Sequence, residues 1–439
     1  MNLIYGIKDK PKFGQMLVFA FQQVLAILAA TILVPAIIGN GMSQAAALFG
    51  AGVGTLVYQL CTKFRSPVFL GSSFAFIGSM LAAFGGAASA SAGYAGILLG
   101  AVLAGLVYVA IAAIVKFAGV KWIDKLMPPV VIGPTVALIG MSLAVNAVND
   151  LKLGKVETCS PYVAIICGLI TMFAIIYFSV YGKKMAKLIP FILGILTGYI
   201  VATIFTLIGN ATGNDALKVI NFAAFKEMTI FAVPDFTFIE AIKGVKDIDG
   251  QFIATVAVAY VPVAFVVFAE HIADHKNLSS IIDQNLLEDP GLHRTLLGDG
   301  LGSMAGAFFG GCPNTTYGES VGCVAITRNA SIVTITTAAV LCILISFFGP
   351  FITFLSSIPN CVMGGVCVTL YGFIACSGLK MIQKVDLNQS KNLFVAAVIL
   401  ITGIGGLSVT FGKITLTTTA CALILGILTN IMVSKASEQ

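Results

Sequence analysis

The chain is 439 residues long, 58% hydrophobic and only 10% charged, with a formal net charge of +6 and a mean hydropathy of +1.00. A soluble domain carries about 25% charged residues, so this composition excludes a water-covered globule and leaves room for many spans of about 20 apolar residues each. The cations are spread over alternate loops and gather neither on one amphipathic face nor in a tail, which excludes a nucleic-acid partner.

The first apolar stretch, 13–39, is too long for a signal-peptide core and lacks a small-residue cleavage pattern, so it is expected to stay as the first span. Further stretches follow at 43–61, 67–84, 95–117, 127–148, 161–181 and 186–208. The polar run 209–250, with Asn210, Gly213, Asn214, Pro234 and Asp235, reads as the one long external connection. Apolar stretches resume at 251–273, 296–311, 318–328, 331–352, 358–379, 391–408 and 413–433, with the loop from Lys276 to Arg294 as a cytoplasmic counterpart. About fourteen spans result. Lys8, Lys10, Lys12, Lys63, Arg65, Lys116, Lys121, Lys125, Lys183, Lys184 and Lys187 fall at every second turn, and Lys276, Arg294, Arg328, Lys380, Lys384, Lys391 and Lys435 continue that side. Cations concentrate in cytoplasmic loops, so both termini are placed in the cytoplasm.

The third and tenth stretches differ from the rest. Ser72-Ser73-Phe74-Ala75 and Thr315-Thr316-Tyr317-Gly318 both read hydroxyl, hydroxyl, aromatic, small. β-Branched and aromatic residues bounded by Pro and Gly suit short extended segments better than a helix start. Two short strands near mid-membrane are predicted, each followed by a half-helix whose first N–H groups offer fixed donors to a polar ligand. Pro128, Val131, Ile132 and Gly133 match Pro359, Val362, Met363 and Gly364, again seven spans apart. Seven is odd, so the halves cross with opposite polarity and form an inverted repeat. Paired interrupted segments of this kind point to the binding site of a secondary transporter.

Carboxylates within such segments are costly unless they face an enclosed cavity. Glu270 ends the eighth stretch, with Asp274 one helical turn on; Asp299 lies in the ninth, and Glu319 opens the tenth half-helix. A protonated carboxyl donates and accepts hydrogen bonds, whereas an ionised one only accepts, so Glu270, with Asp274 as nearest relay, is a candidate for coupling proton occupancy to ligand binding. His271 and His275 are read as solvated or capping residues at a helix end. The ten cysteines are single and mostly within apolar stretches, with no CxxC pair, so neither a metal site nor a disulfide framework is indicated. Phosphate-binding loops, nucleophile elbows and dinucleotide glycine patterns are missing from the sequence, which argues against an ATP-driven pump or an enzyme.

Glu319-Ser320-Val321-Gly322-Cys323-Val324-Ala325-Ile326-Thr327-Arg328 resembles the signature of the nucleobase–cation symporter 2 (nucleobase–ascorbate transporter) family. Leu70-Gly71-Ser72-Ser73-Phe74-Ala75-Phe76, Ala269-Glu270-His271-Ile272, Asp289-Pro290-Gly291-Leu292-His293-Arg294 and Pro313-Asn314-Thr315-Thr316-Tyr317-Gly318 extend that resemblance over nearly the whole chain, most closely to the bacterial uracil permeases. The resemblance implies an all-α membrane protein of fourteen segments in a seven-plus-seven repeat. It also implies a core domain (1–126 and 251–357), a gate domain (127–209 and 358–439) and an external connection (210–250). It implies proton symport of uracil, with no cofactor beyond the proton, and a homodimer in the bilayer. By the same resemblance Glu270, Glu319, the backbone of Phe74 and Gly318, and Ser73 contact the base; Ala30, Tyr317 and Tyr371 line the pocket; and Glu270, Asp274 and Asp299 carry proton coupling.

Three positions depart from the family pattern: Gln23 stands where many relatives have His, Asp274 where the uracil type has His, and Ser320 where the signature has Asn. The acid at Asp274 resembles the purine branch, whereas Glu319, in place of Gln, resembles the uracil branch. Xanthine or uric acid transport and a sulfate-carrier-like anion transporter are the alternatives. The two carboxylates weigh against an anion.

Overall fold

The computed structural model describes residues 3–119, 128–183, 185–226, 228–411 and 414–434. The first half begins with α1 (Phe13–Ile38) and α2 (Gln44–Cys61). Strand β1 (Leu70–Ser72), a 3-10 turn at Phe74–Phe76 and α3 (Ile77–Gly85) follow. Then come α4 (Ala90–Ala118), α5 (Pro129–Ser142) running on into α6 (Ala144–Asp150), α7 (Pro161–Tyr181) and α8 (Pro190–Thr212). A short helix, α9 (Thr237–Gly244), lies in the polar connection. The second half repeats the order with α10 (Gly250–Ile282), α11 (Leu292–Gly310), β2 (Asn314–Thr316) leading into α12 (Gly318–Thr327), and α13 (Ile332–Ile345). After α14 (Gly349–Ser357) it closes with α15 (Asn360–Ile382), α16 (Ser390–Ile404), the hairpin β3 (Val409–Phe411) and β4 (Ile414–Leu416), and α17 (Thr418–Val433).

Among the described residues, eight of these segments are long and apolar enough to cross a membrane: α1, α2, α4, α5–α6, α7, α8, α10 and α15. Six shorter, broken or less apolar ones, β1–α3, α11, β2–α12, α13, α16 and α17, complete two sets of seven. The protein is a multi-pass membrane protein with an inverted repeat.

The break in each half follows from hydrogen-bond accounting. A backbone leaving helical geometry inside a bilayer must find internal partners. β1 and β2 supply them to each other, pairing antiparallel with Leu70 opposite Thr316, Gly71 opposite Thr315 and Ser72 opposite Asn314. Equivalent strands of an inverted repeat run in opposite directions, so their mutual ladder is antiparallel. Side chains tie the pair down: the Leu70 N–H donates to Thr55 Oγ1 at 2.9 Å, Asn314 Nδ2 to the Gly50 carbonyl at 3.1 Å, and the Tyr317 hydroxyl to the Ser72 carbonyl at 2.8 Å. α2 and α11, the second segments of the two repeats, cross where Gly54 meets Gly302. A Cβ on either would lie 2.7 Å from the other's carbonyl oxygen, a contact open only to glycine.

The helices pack in two groups. α1, α2, α4, α10, α11 and α13 surround the strands, while α5, α7, α8, α15, α16 and α17 pack on one another. The groups meet along an apolar seam where Val266 of α10 joins Val131 and Ile139 of α5 and Ile399 of α16. Loops carrying cations gather at one end: the Ile4 N–H donates to the Arg328 carbonyl at 2.8 Å, and Arg65 pairs with Asp289 at 2.6 Å. Lys121, Lys125, Lys184 and Lys435, and the expected boundary at 126/127, lie outside the described residues.

Several boundaries differ from the sequence expectation. α4 starts at Ala90, not 95, and α10 continues past 273 to Ile282, shortening the loop expected from Lys276. The extension holds because its polar residues bond within the protein: Ser279 Oγ donates to the His275 carbonyl at 2.6 Å and accepts from the Leu286 N–H at 3.0 Å. The run 331–352 divides into α13 and α14, and β4 of the β3–β4 hairpin occupies the start of the last apolar stretch.

Candidate functional site

The two half-helices begin at the same place. Phe74 and Ala75, at the turn after β1, and Gly318 and Glu319, opening α12, line one cavity of about 80 Å³ with Glu270, Thr315, Thr316 and Tyr317. Its opposite wall is apolar and comes from the other helix group: Val136 and Ile139 of α5, Leu370 and Ile374 of α15. The first N–H groups of a helix have no intrahelical acceptor and carry partial positive charge. The cavity therefore presents backbone donors beside two carboxylates on one side and a greasy slab on the other. Such a surface matches a flat ring whose edge alternates N–H and C=O, because the acids accept from N–H and the backbone donates to C=O.

Glu270 reaches the cavity from α10, and no ion pair joins it to Lys276 among the described residues. Asp274, one turn on, accepts a hydrogen bond from Thr316 Oγ1 at 2.9 Å and lies beside Gly318. Glu319 also borders a second cavity of about 150 Å³ lined by Leu25, Lys187, Pro190 and Ile326, and so stands between the two. Glu270, Glu319, Phe74, Gly318 and Tyr317 are thus brought together. Ser73, Ala30 and Tyr371 are buried near them but do not line the cavity. Ser73 contributes through its backbone, donating to the Pro313 carbonyl at 2.8 Å, and the Tyr371 ring meets Phe74 edge to face at 6.5 Å.

Asp299 sits directly behind this wall. It is 1% exposed, near the middle of α11, and its Oδ2 is 2.8 Å from His271 Nδ1. His271 and His275 are themselves fully buried, which corrects the expectation of solvated or capping residues. A one-turn spacing on α10 aims both rings at α2 and α11, where Thr295 and Tyr58 bond them, with Ser66 of the segment after α2 alongside. Sequence reasoning missed this because the partners lie on other segments. The clue available was two histidines at i and i+4 on an otherwise apolar helix.

A cavity built from two inverted half-helices in a multi-pass protein defines a membrane permease. The Permease family profile matches residues 14–412. The uracil permease of Bacillus caldolyticus is 39% identical over 98% of this chain and 94% of its own length, and that of Bacillus subtilis 36% over 99% and 96%. The chain belongs to the nucleobase–cation symporter 2 family, within its uracil permease type. Its fold is shared with the transmembrane domain of a cyanobacterial bicarbonate transporter, BicA, at a TM-score of 0.59 and 15% identity over 98% of this chain and 99% of that one. The relatives are permeases, and this chain is not an enzyme.

Proposed function

We propose that the protein imports uracil together with protons across the cytoplasmic membrane, by alternating access of a core domain (1–126 and 251–357) against a gate domain (127–209 and 358–439), with 210–250 as the external link. Supporting this, the polar half of the cavity belongs to one helix group and the apolar half to the other. Relative movement of the groups along the Val266 seam would open the cavity to either side while the base stays on the core. Glu319 and Glu270 accept from the ring N–H groups, Phe74 and Gly318 offer backbone donors, and Tyr317 closes the strand side. Glu270, Asp274 and Asp299 form the proton-coupling set. Both termini face the cytoplasm, where the exposed cations of the joined loops would lie.

The single observation carrying this reading is that Glu270 and Glu319, from different repeats, line the same cavity. An anion substrate is disfavoured because the described lining holds two acids and no basic side chain. The experiment is uptake of radiolabelled uracil by proteoliposomes, competed with uracil, xanthine and uric acid, with and without an inward proton gradient. Competition by uracil alone and gradient-driven accumulation are expected. Competition by xanthine at equal strength would move the assignment to purines.

A further inference from the structure

The buried histidines suggest where the coupled proton is held. His275 Nδ1 is 2.8 Å from the His271 carbonyl, which can only accept, so that nitrogen carries hydrogen. In the neutral ring Nε2 is then the acceptor, and the Tyr58 hydroxyl, 2.7 Å away, donates to it. With hydrogen on Nε2 the Tyr58 oxygen would accept from it while the Tyr58 hydroxyl donates to Ser66 Oγ at 2.7 Å. Among the described residues no carboxylate hydrogen-bonds the His275 ring to balance such a charge.

His271 differs in having a carboxylate beside it. Its Nδ1 faces Asp299 Oδ2 at 2.8 Å, and its Nε2 faces Thr295 Oγ1 at 3.0 Å. The Thr295 hydroxyl has a second acceptor, the Leu292 carbonyl, at 3.1 Å. Two proton inventories satisfy the same heavy atoms. With an ionised Asp299 and a neutral ring, Nδ1–H donates to Oδ2 and the Thr295 hydroxyl donates to Nε2. With one more proton on the pair, Nε2 carries hydrogen and donates to Thr295, whose hydroxyl turns to Leu292; the remaining proton lies between Oδ2 and Nδ1. The pair thus gains one proton and one positive charge with only a hydroxyl rotation.

We propose that the Asp299–His271 pair is the internal store of the transported proton, with Thr295 as its hydroxyl switch. This rests on the reading of the chain as a proton-coupled carrier, and assigns His271 a role beyond the acids of that reading. Entry is from the cavity. Thr315 lines the cavity and neighbours both Asp299 and Tyr108 behind it. The ionisable groups facing the pair are Tyr58 of α2, Tyr108 of α4, and Glu270, Asp274 and His275 of α10. Arg294, next to Thr295, instead points at the Cys61 carbonyl. The His275 ring stacks on His271 at 4.0 Å between centroids; two stacked cations would repel, so one ring charges at a time.

The chain has three histidines, so the test can be made on the wild-type rings. Nitrogen-15 histidine NMR of the protein in nanodiscs, with His293→Gln removing the third signal, is followed across the pH range of uptake. The His271 ring, assigned by the signals lost in His271→Gln, is expected to gain hydrogen at Nε2 as pH falls. An unchanged His271 Nε2 over that range, whether or not the His275 ring changes, would overturn the proposal. In proteoliposomes, His271→Gln is expected to keep uracil counterflow while lowering gradient-driven accumulation about tenfold, a coupling change of ordinary size. Accumulation equal to wild type would also overturn it. Lack of uracil counterflow by the wild type would instead sink the carrier reading.

Discussion

Gln23 and Ser320 are each other's partners: the Gln23 side-chain amide of α1 donates to the Ser320 hydroxyl oxygen at the start of α12, and the Phe69 N–H donates to the same oxygen at 3.0 Å. These are two of the three positions that depart from the family pattern of His and Asn. A change on one side of a buried bond strands a donor, at a cost of about 1–3 kcal/mol, whereas a matched change need not. Gln23→His and Ser320→Asn are each expected to lower uracil uptake about tenfold, and the double variant to recover most of it, as contacting residues couple by about 0.5–3 kcal/mol. A double-mutant cycle of initial uptake rates measures this; strict additivity would mean that the two positions act separately.

Thr316 holds Asp274 by a hydroxyl-to-carboxylate bond of 2.9 Å from the end of β2. Such charge-assisted bonds contribute about 1.5–3 kcal/mol. Thr316→Val preserves volume and the strand, so the protein should fold with an unchanged gel-filtration profile. Transport should fall about tenfold or more, because Asp274 no longer has a fixed position beside Gly318. Initial-rate uptake on the purified variant is the check.

The α2–α11 crossing predicts a stability contrast between glycines. A Cβ at Gly302 would sit 2.7 Å from the Gly54 carbonyl oxygen, whereas one at Gly322 meets nothing within 4 Å. Overpacking costs about 1–3 kcal/mol, so Gly302→Ala should lower the detergent melting temperature by several degrees. Gly322→Ala should leave it unchanged. Fluorescence thermal shift of the two variants separates the outcomes.

Glu270 reaches the cavity without a basic partner among the described residues. Glu270→Gln keeps the shape and one hydrogen-bond acceptor but cannot exchange a proton. Exchange of internal for external uracil should persist at weaker apparent affinity, while accumulation driven by a proton gradient should be lost. Counterflow and gradient-driven uptake on one preparation check this; accumulation unaffected by the change would remove Glu270 from the coupling set.

Local chemistry made the two broken segments readable in the sequence. Ser72-Ser73-Phe74 and Thr315-Thr316-Tyr317 combine poor helix formers with flanking Gly and Pro, and the structure has strands at both. Their mutual pairing was not readable as a contact, since register depends on where α2 brings Thr55 and Gly50. Glu270 and Glu319 stood out because acids in apolar stretches are rare. The histidines were misread for the opposite reason: next to Asp274 and Lys276 they look like a helix end. The packing of α2 and α11 against that turn, which buries them, is a long-range event. The end of α10 was misplaced by the same polar run.

In the proposed binding mode Glu319 and Glu270 grip one nucleobase between them. Equilibrium binding of radiolabelled uracil to purified wild-type protein and to Glu319→Gln tests it most directly. Losing a charge-assisted acceptor costs about 1.5–3 kcal/mol, so the variant is expected to bind uracil at least about tenfold more weakly. Wild-type affinity in Glu319→Gln, or no uracil binding by the wild type, would contradict the account.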